Sequence, residues 1–156
     1  MIRLIENLCA VNGVSGDEQD VAAAVIEQIR DYCEYEVTPL GDVVAFKKGA
    51  KRPRNRVMFD AHMDEVGFIV TYITEEGFLR FATVGGIDNR VIQGKPVVVG
   101  KSKVYGIISS KPVHLIDRDH RDDPIKAADL LIDIGCRSRE EAEGLVGVGG
   151  RGYFDS

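Results

Sequence analysis

The feature that most constrains this chain is a change of texture at Glu65. From there to about Ile134 it is a series of short β-branched runs: Val66 to Thr74, Phe78 to Val84, Pro96 to Val99, Val104 to Ile108 and Asp129 to Ile134. Each is cut off by glycine, proline or charge. Short apolar runs bounded by turn residues are strands, and some five of them in succession predict a small barrel in place of a parallel sheet. Before Glu65 the period is different. Val21, Ala22, Val25, Ile26 and Ile29 recur at three- and four-residue steps, a single apolar stripe that ends near Tyr32. Ser15-Gly16-Asp17-Glu18 ahead of it has the capping-box pattern, so a helix over 16–32 is predicted with Ser15 as its cap. A first helix is predicted over 1–11, with Ile2, Ile5, Leu8 and Cys9 on one face, and strands around 43–46 and 57–59. A second capping box, Ser138-Arg139-Glu140-Glu141, should open a short helix through about Leu145, and Gly147 to Gly152 reads as loop. We take the change at Glu65 as a boundary between a helical opening and a barrel-like unit.

Composition narrows the function classes. A chain of 156 residues fits one domain or two small ones, and 44 % apolar with 29 % charged residues excludes a disordered, collagen-like or membrane chain. No apolar run approaches the roughly 18 residues of a membrane span, and Glu6 stands where a secretory signal would be apolar. A cytoplasmic protein with no membrane partner is expected. The net charge of −5 disfavours nucleic acid. Six cationic side chains between Lys47 and Arg56 could form a phosphate-binding patch, but a glycine, a proline and the lack of an aromatic favour a solvated hairpin loop. Cys9, Cys33 and Cys136 are odd in number and widely spaced, with no Cys-x-x-Cys, and read as small buried hydrophobes.

Chemistry concentrates in Asp60-Ala61-His62-Met63-Asp64-Glu65, directly after the predicted strand 57–59. Functional groups collect at the carboxyl ends of strands in α/β sheets. In an extended segment residues two apart share a face, so His62 and Asp64 point the same way. One imidazole nitrogen could then bind a metal while the carboxylate steadies the ring. The three-residue pattern fits equally a polar strand end with a hydrogen-bonded histidine. Other motifs carry less. Gly147 to Gly152 spells G-x-G-x-x-G but lacks the strand, helix and distant acid of a dinucleotide site. Ser15 lies at a predicted helix start without the spacing of a nucleophile elbow, and reads as a cap. The stretch His114 to Asp123 holds two His and four Asp, enough for a surface cation site, but interspersed arginines favour a solvated loop.

Five collinear segments resemble the tetrahedral aminopeptidase family, whose members are also called deblocking or glutamyl aminopeptidases and sometimes endoglucanases. They are Asn12 to Gly16; Ala61 to Phe68; Gly85 to Asp88 with Arg90-Val91; Ser110-Lys111-Pro112 with His114-Leu115; and Ile132 to Gly135 followed by Ser138 to Glu143. The resemblance implies an α/β fold in three parts. Residues 1–65 would open a dinuclear zinc-peptidase catalytic domain, with two helices and sheet strands. Residues 66–146 would be an inserted PDZ-like β-barrel that serves assembly, and 147–156 the start of a return to the catalytic domain. It further implies that His62 is a ligand of one of two divalent metal ions, zinc or cobalt, and that Asp64 is the catalytic-site carboxylate positioning that ligand. The substrate would be a peptide that loses its N-terminal residue.

The resemblance extends over about the first half of the family's length, and the remaining donors and the general base fall in the other half. After His62 the only histidines are His114 and His120, and Asp60, Asp64 and Glu65 are too close in sequence to surround an ion. This chain alone is therefore expected not to hold two metals and to be inactive. Apolar surface left uncovered should make it a homo-oligomer, through the barrel or through edge strands. The alternative is a non-catalytic assembly or peptide-binding module built on the barrel. A glucanase, which needs paired acids across a sugar cleft, has no support in the residues.

Overall fold

The structure, a computed structural model, describes residues 2–52, 54–110 and 126–155, and divides into two units, Met1–Glu65 and Val66–Ser156. The first contains α1 (Ile2–Cys9), α2 (Gln19–Ile29), β1 (Glu34–Val37) and β2 (Val43–Phe46). β1 and β2 form an antiparallel pair in register from Glu34↔Phe46 to Val37↔Val43. Thr38 and Asp42 tie their connection: the Thr38 hydroxyl donates to Asp42 Oδ2 at 2.9 Å, and the Asp42 amide donates to Thr38 Oγ1 at 3.2 Å. β1 was not predicted, because Glu34-Tyr35-Glu36-Val37 puts charge at every second position and all four residues are exposed.

Two expectations for this unit are corrected. The second helix begins at Gln19, with Glu18 at its N-cap and no side-chain cap hydrogen bond. Ser15 does not cap it; its hydroxyl donates to Asp64, 49 residues away, and Glu18 Oε1 accepts instead from the Gly16 amide at 2.8 Å. A long-range partner has outcompeted the local motif. Residues 57–59 form no strand: Val57, Met58 and Phe59 are 75, 86 and 93 % exposed. A strand exists only through a neighbour's ladder, and none runs beside this segment among the described residues. The basic stretch before it is exposed throughout its described residues, in keeping with a solvated loop, though it joins no paired strands.

The second unit is a closed six-stranded barrel of β3 (Gly67–Ile73), β4 (Leu79–Val84), β5 (Pro96–Val99), β6 (Val104–Ser110), β7 (Leu130–Asp133) and β8 (Arg151–Phe154). Around the barrel the order is β3-β4-β7-β6-β5-β8, with every pair antiparallel. Its core holds Phe68, Val70, Leu79, Val97, Val99, Ile108, Leu130 and Ile132, each at most 1 % exposed. The inward residues alternate at Leu79 and Phe81 on β4 and at Phe68 and Val70 on β3, where a register shift between Val70 and Tyr72 then breaks the period. Two short helices attach. α3 (Asn89–Ile92) is capped by Asp88, whose carboxylate accepts from the Arg90 amide at 3.0 Å. α4 (Arg139–Glu143) begins where the second capping box predicts: Ser138 Oγ accepts from the Glu141 amide at 3.2 Å, while the Glu141 carboxylate reaches the Arg137 amide at 2.9 Å.

β8 was not predicted. Arg151-Gly152-Tyr153-Phe154 follows a glycine-rich run that reads as loop, yet it pairs with β3 on one side and β5 on the other and so closes the barrel. Gly152 allows this, because a Cβ there would lie 2.0 Å from Phe68 Cε2 and 2.6 Å from Cδ2. The Phe68 ring lies over the glycine, with Phe81 and Phe154 at centroid distances of 5.5 and 5.7 Å. Among the described residues no helix is long and apolar enough to cross a membrane.

Candidate functional site

The segment from Asp60 to Glu65 is irregular until its last residue. Val14 and Glu65 form a parallel bridge: the Glu65 amide donates to the Gly13 carbonyl at 2.7 Å, and the Gly13 amide donates to Glu65 Oε1 at 3.0 Å. Val14, 2 % exposed, anchors this bridge in the first unit. Gly13 permits the close approach, since a Cβ there would sit 2.4 Å from Val21 Cγ2 on α2 and 3.2 Å from the Met63 carbonyl. The bridge sets Ser15 beside Asp64, and the Ser15 hydroxyl donates to Asp64 Oδ2 at 2.5 Å.

Asp64 then spans two groups. Its Oδ1 lies 3.1 Å from His62 Nδ1, and its own carbonyl lies 2.9 Å from the same nitrogen. Both neighbours of Nδ1 are acceptors, so the proton of the neutral ring belongs on Nδ1 and the lone pair on Nε2. The His62 side chain is 84 % exposed and Asp64 42 %. The Ser15 hydroxyl holds the Asp64 carboxyl below the usual carboxylate range, and the facing His62 acts in the same direction.

A transition ion takes about four donors at roughly 2.0–2.3 Å. Among the described residues no three His, Cys, Asp or Glu side chains meet in such a group. His62 fits one position of a metal centre, with its second nitrogen oriented by a carboxylate, and the described residues do not complete that centre. His114, His120 and the acidic stretch 117–123 lie outside the described residues.

The comparisons with known proteins decide the family. A model of the M42 glutamyl aminopeptidases matches residues 41–156. The chain belongs to this family. It is 32 % identical over 148 residues to the lysyl aminopeptidase of Pyrococcus furiosus, matching 90 % of this chain and 41 % of that protein. Among solved structures, a TET aminopeptidase from the marine sediment archaeon Thaumarchaeota archaeon SCGC AB-539-E09 superposes with a TM-score of 0.89 at 41 % identity, over 98 % of this chain and 44 % of that one. The TET1 peptidase of Pyrococcus horikoshii, which can assemble into a tetrahedron or a large octahedral shell, gives 0.84 at 37 %, over 99 % of this chain and 46 % of that one. The M42 chain described here thus spans less than half the length of the relatives it matches.

Sequence reasoning found His62 and Asp64 as neighbours on one face, and the structure brings them together. It missed Ser15 and Glu65 as partners of the segment. No local signal links residues 49 and 52 positions apart, and the capping-box pattern pointed Ser15 elsewhere.

Proposed function

We propose that this chain is part of a metal-dependent aminopeptidase that removes N-terminal residues from peptides, and that it contributes His62 as a metal ligand and Asp64 as the carboxylate that orients it. The observation that carries this is the pair of acceptors at His62 Nδ1. Two acceptors at Nδ1 leave Nε2 as a directed lone pair on an exposed side chain. Membership of an aminopeptidase family supports the reaction class. Two divalent ions, zinc or cobalt, would when bound supply the Lewis acid that activates water and polarises the scissile carbonyl. The chain's own part is to present Nε2, keep the proton on Nδ1, and hold the Asp64 carboxylate ionised through Ser15.

In this reading residues 1–65 belong to an α/β dinuclear-zinc catalytic domain and the barrel is the PDZ-like assembly domain. The exposed Tyr35, Val37, Leu40, Val44 and Phe46 on and beside β1 and β2 support it, since a packed catalytic domain would cover them. Oligomerisation is supported by the assemblies of the Pyrococcus horikoshii relative. A peptide-binding role for the barrel draws no support from its strand order, in which each of the six strands has a neighbour on both sides, although β4 and β7 meet only at Leu79↔Ile132.

With one donor brought to the site, residues 1–156 should by themselves release no amino acids. The test pairs metal analysis with an aminoacyl-amide assay, in zinc and in cobalt, on the 156-residue chain and on a complete relative. We expect no metal-dependent release by the chain, and loss of activity in the relative when the histidine matching His62 is replaced by alanine. Metal-dependent release by the chain alone would overturn the assignment of the missing donors, and an active alanine variant would overturn the role of His62.

A further inference from the structure

We infer that Ser15 is a positioning residue for His62, acting through Asp64; this rests on the function proposed above. The Asp64 carboxylate has one oxygen on each partner: Oδ1 faces His62 Nδ1 at 3.1 Å, and Oδ2 accepts from the Ser15 hydroxyl at 2.5 Å. A carboxylate held at only one oxygen can turn about its terminal torsion, which is broad and roughly two-fold. With both oxygens engaged that rotation is stopped, and the plane that receives the imidazole N–H is fixed.

Ser15 is itself held by backbone, which a chance surface contact would not require. The parallel bridge Val14↔Glu65 and the reciprocal Gly13 and Glu65 hydrogen bonds lock residues 13–15 alongside residues 64–65. The Asp17 amide donates to the Val14 carbonyl at 2.8 Å, and Gly16 at φ 85° turns the chain away immediately afterwards. Ser15 is thus the last residue of a short clamped segment. The chain Ser15–Asp64–His62 extends the oriented carboxylate of a metal-ligating histidine by one further partner. A hydroxyl suits this position, because it donates to a carboxylate without bringing a charge that would compete with the imidazole for it.

The test reads the tautomer of His62 by long-range nitrogen-15 correlations in the 156-residue chain, at an alkaline pH where imidazoles are neutral, with His62→Ala assigning the signal. The unsubstituted chain should show mainly the Nδ1–H form. Ser15→Ala should lower the ratio of Nδ1–H to Nε2–H by about two- to tenfold, the worth of one hydrogen bond. Ser15→Thr, which keeps the hydroxyl, should restore it, and Asp64→Asn should lower it at least as far as Ser15→Ala. Backbone amide spectra check the fold; if Ser15→Ala loses it, Ser15→Cys, similar in size and a weak donor, carries the same test. A tautomer ratio unchanged in Ser15→Ala or Ser15→Cys would overturn the role of Ser15 while leaving His62 as a ligand. A predominant Nε2–H form in the unsubstituted chain would overturn the function proposed for His62 itself.

Discussion

Gly152→Ala should open the barrel at its seam. Gly152 lies opposite Phe68 on β3 and Val99 on β5, so it sits where β8 joins the two ends of the sheet. The added methyl would meet Phe68 Cε2, Cδ2 and Cζ at 2.0, 2.6 and 2.9 Å. The ring cannot swing freely, because Phe68 is fully buried and packed against Phe81 and Phe154. Overpacking of this kind costs about 1–3 kcal/mol, against a stability of roughly 5–13 kcal/mol for a domain of some 90 residues.

The reasoning names the ring as the obstacle, so shrinking the ring should remove the cost. Phe68→Leu alone should cost roughly 1–2 kcal/mol, below the about 3–5 kcal/mol of Phe→Ala. In the double variant the methyl enters space that the ring has vacated, and the pair should cost at least about 1 kcal/mol less than the sum of the two single changes. Urea unfolding of the barrel, followed by near-ultraviolet dichroism of its tyrosines, gives all four corners of the cycle; there is no tryptophan to confuse the signal. A Gly152→Ala variant within about 0.5 kcal/mol of the unsubstituted chain would refute the close approach, and additivity within about 0.5 kcal/mol would refute the ring as its cause.

Two further outcomes follow from the electrostatics. The single Arg90 Nε–H is shared between the two Asp88 carboxylate oxygens and Nη2 donates to Oδ2 at 2.5 Å, which with the Arg90 amide brings the Asp88 carboxyl down to about 2. Its pKa is depressed on folding, so its contribution to stability is complete above the ordinary carboxylate range and is lost as pH falls toward 2. Carbon-13 titration of Asp88 should show this, and Arg90→Ala should raise the midpoint; a midpoint in the ordinary carboxylate range in the unsubstituted chain would refute the pairing. Burial pushes the Cys136 thiol up, and the nearby Glu141 and Asp133 add to the shift, whereas Cys9 is exposed. Thiol-specific reagents should therefore modify Cys9 first and Cys136 last at pH 8, and equal rates in the folded chain would contradict the packing of Cys136 against the barrel core.

What could be read from the sequence was local. The five runs between Val66 and Ile134 gave five barrel strands, because each is a short β-branched stretch with its own stop signals, and the second capping box gave the start of α4. What could not be read was set by partners far along the chain. β8 has no strand pattern, and becomes a strand because β3 and β5 leave a gap that only a residue without a side chain can enter beneath Phe68. Ser15 matches a cap motif, and leaves it because the bridge to Glu65 brings a carboxylate within reach. The segment 57–59 reads as a strand on composition alone, and has no neighbour among the described residues to make it one.

The two units meet the demands of burial differently, and that bears on where chemistry can sit. The barrel satisfies itself: every strand is paired on both sides, and most of the fully buried apolar side chains are its own. Among its described residues the first unit buries the apolar side chains of Val14, Val21 and Ala22 alone, and leaves Phe46, Val57, Met58 and Phe59 in solvent. Yet it is this sparsely packed unit that ties residues 13–15 to residues 62–65 by polar contacts, Gly13 to Glu65 and Ser15 through Asp64 to His62. Hydrophobic packing there is too thin to hold an imidazole in place, so its orientation depends on hydrogen bonds. Removing any one of them should therefore move the ring before it moves the fold.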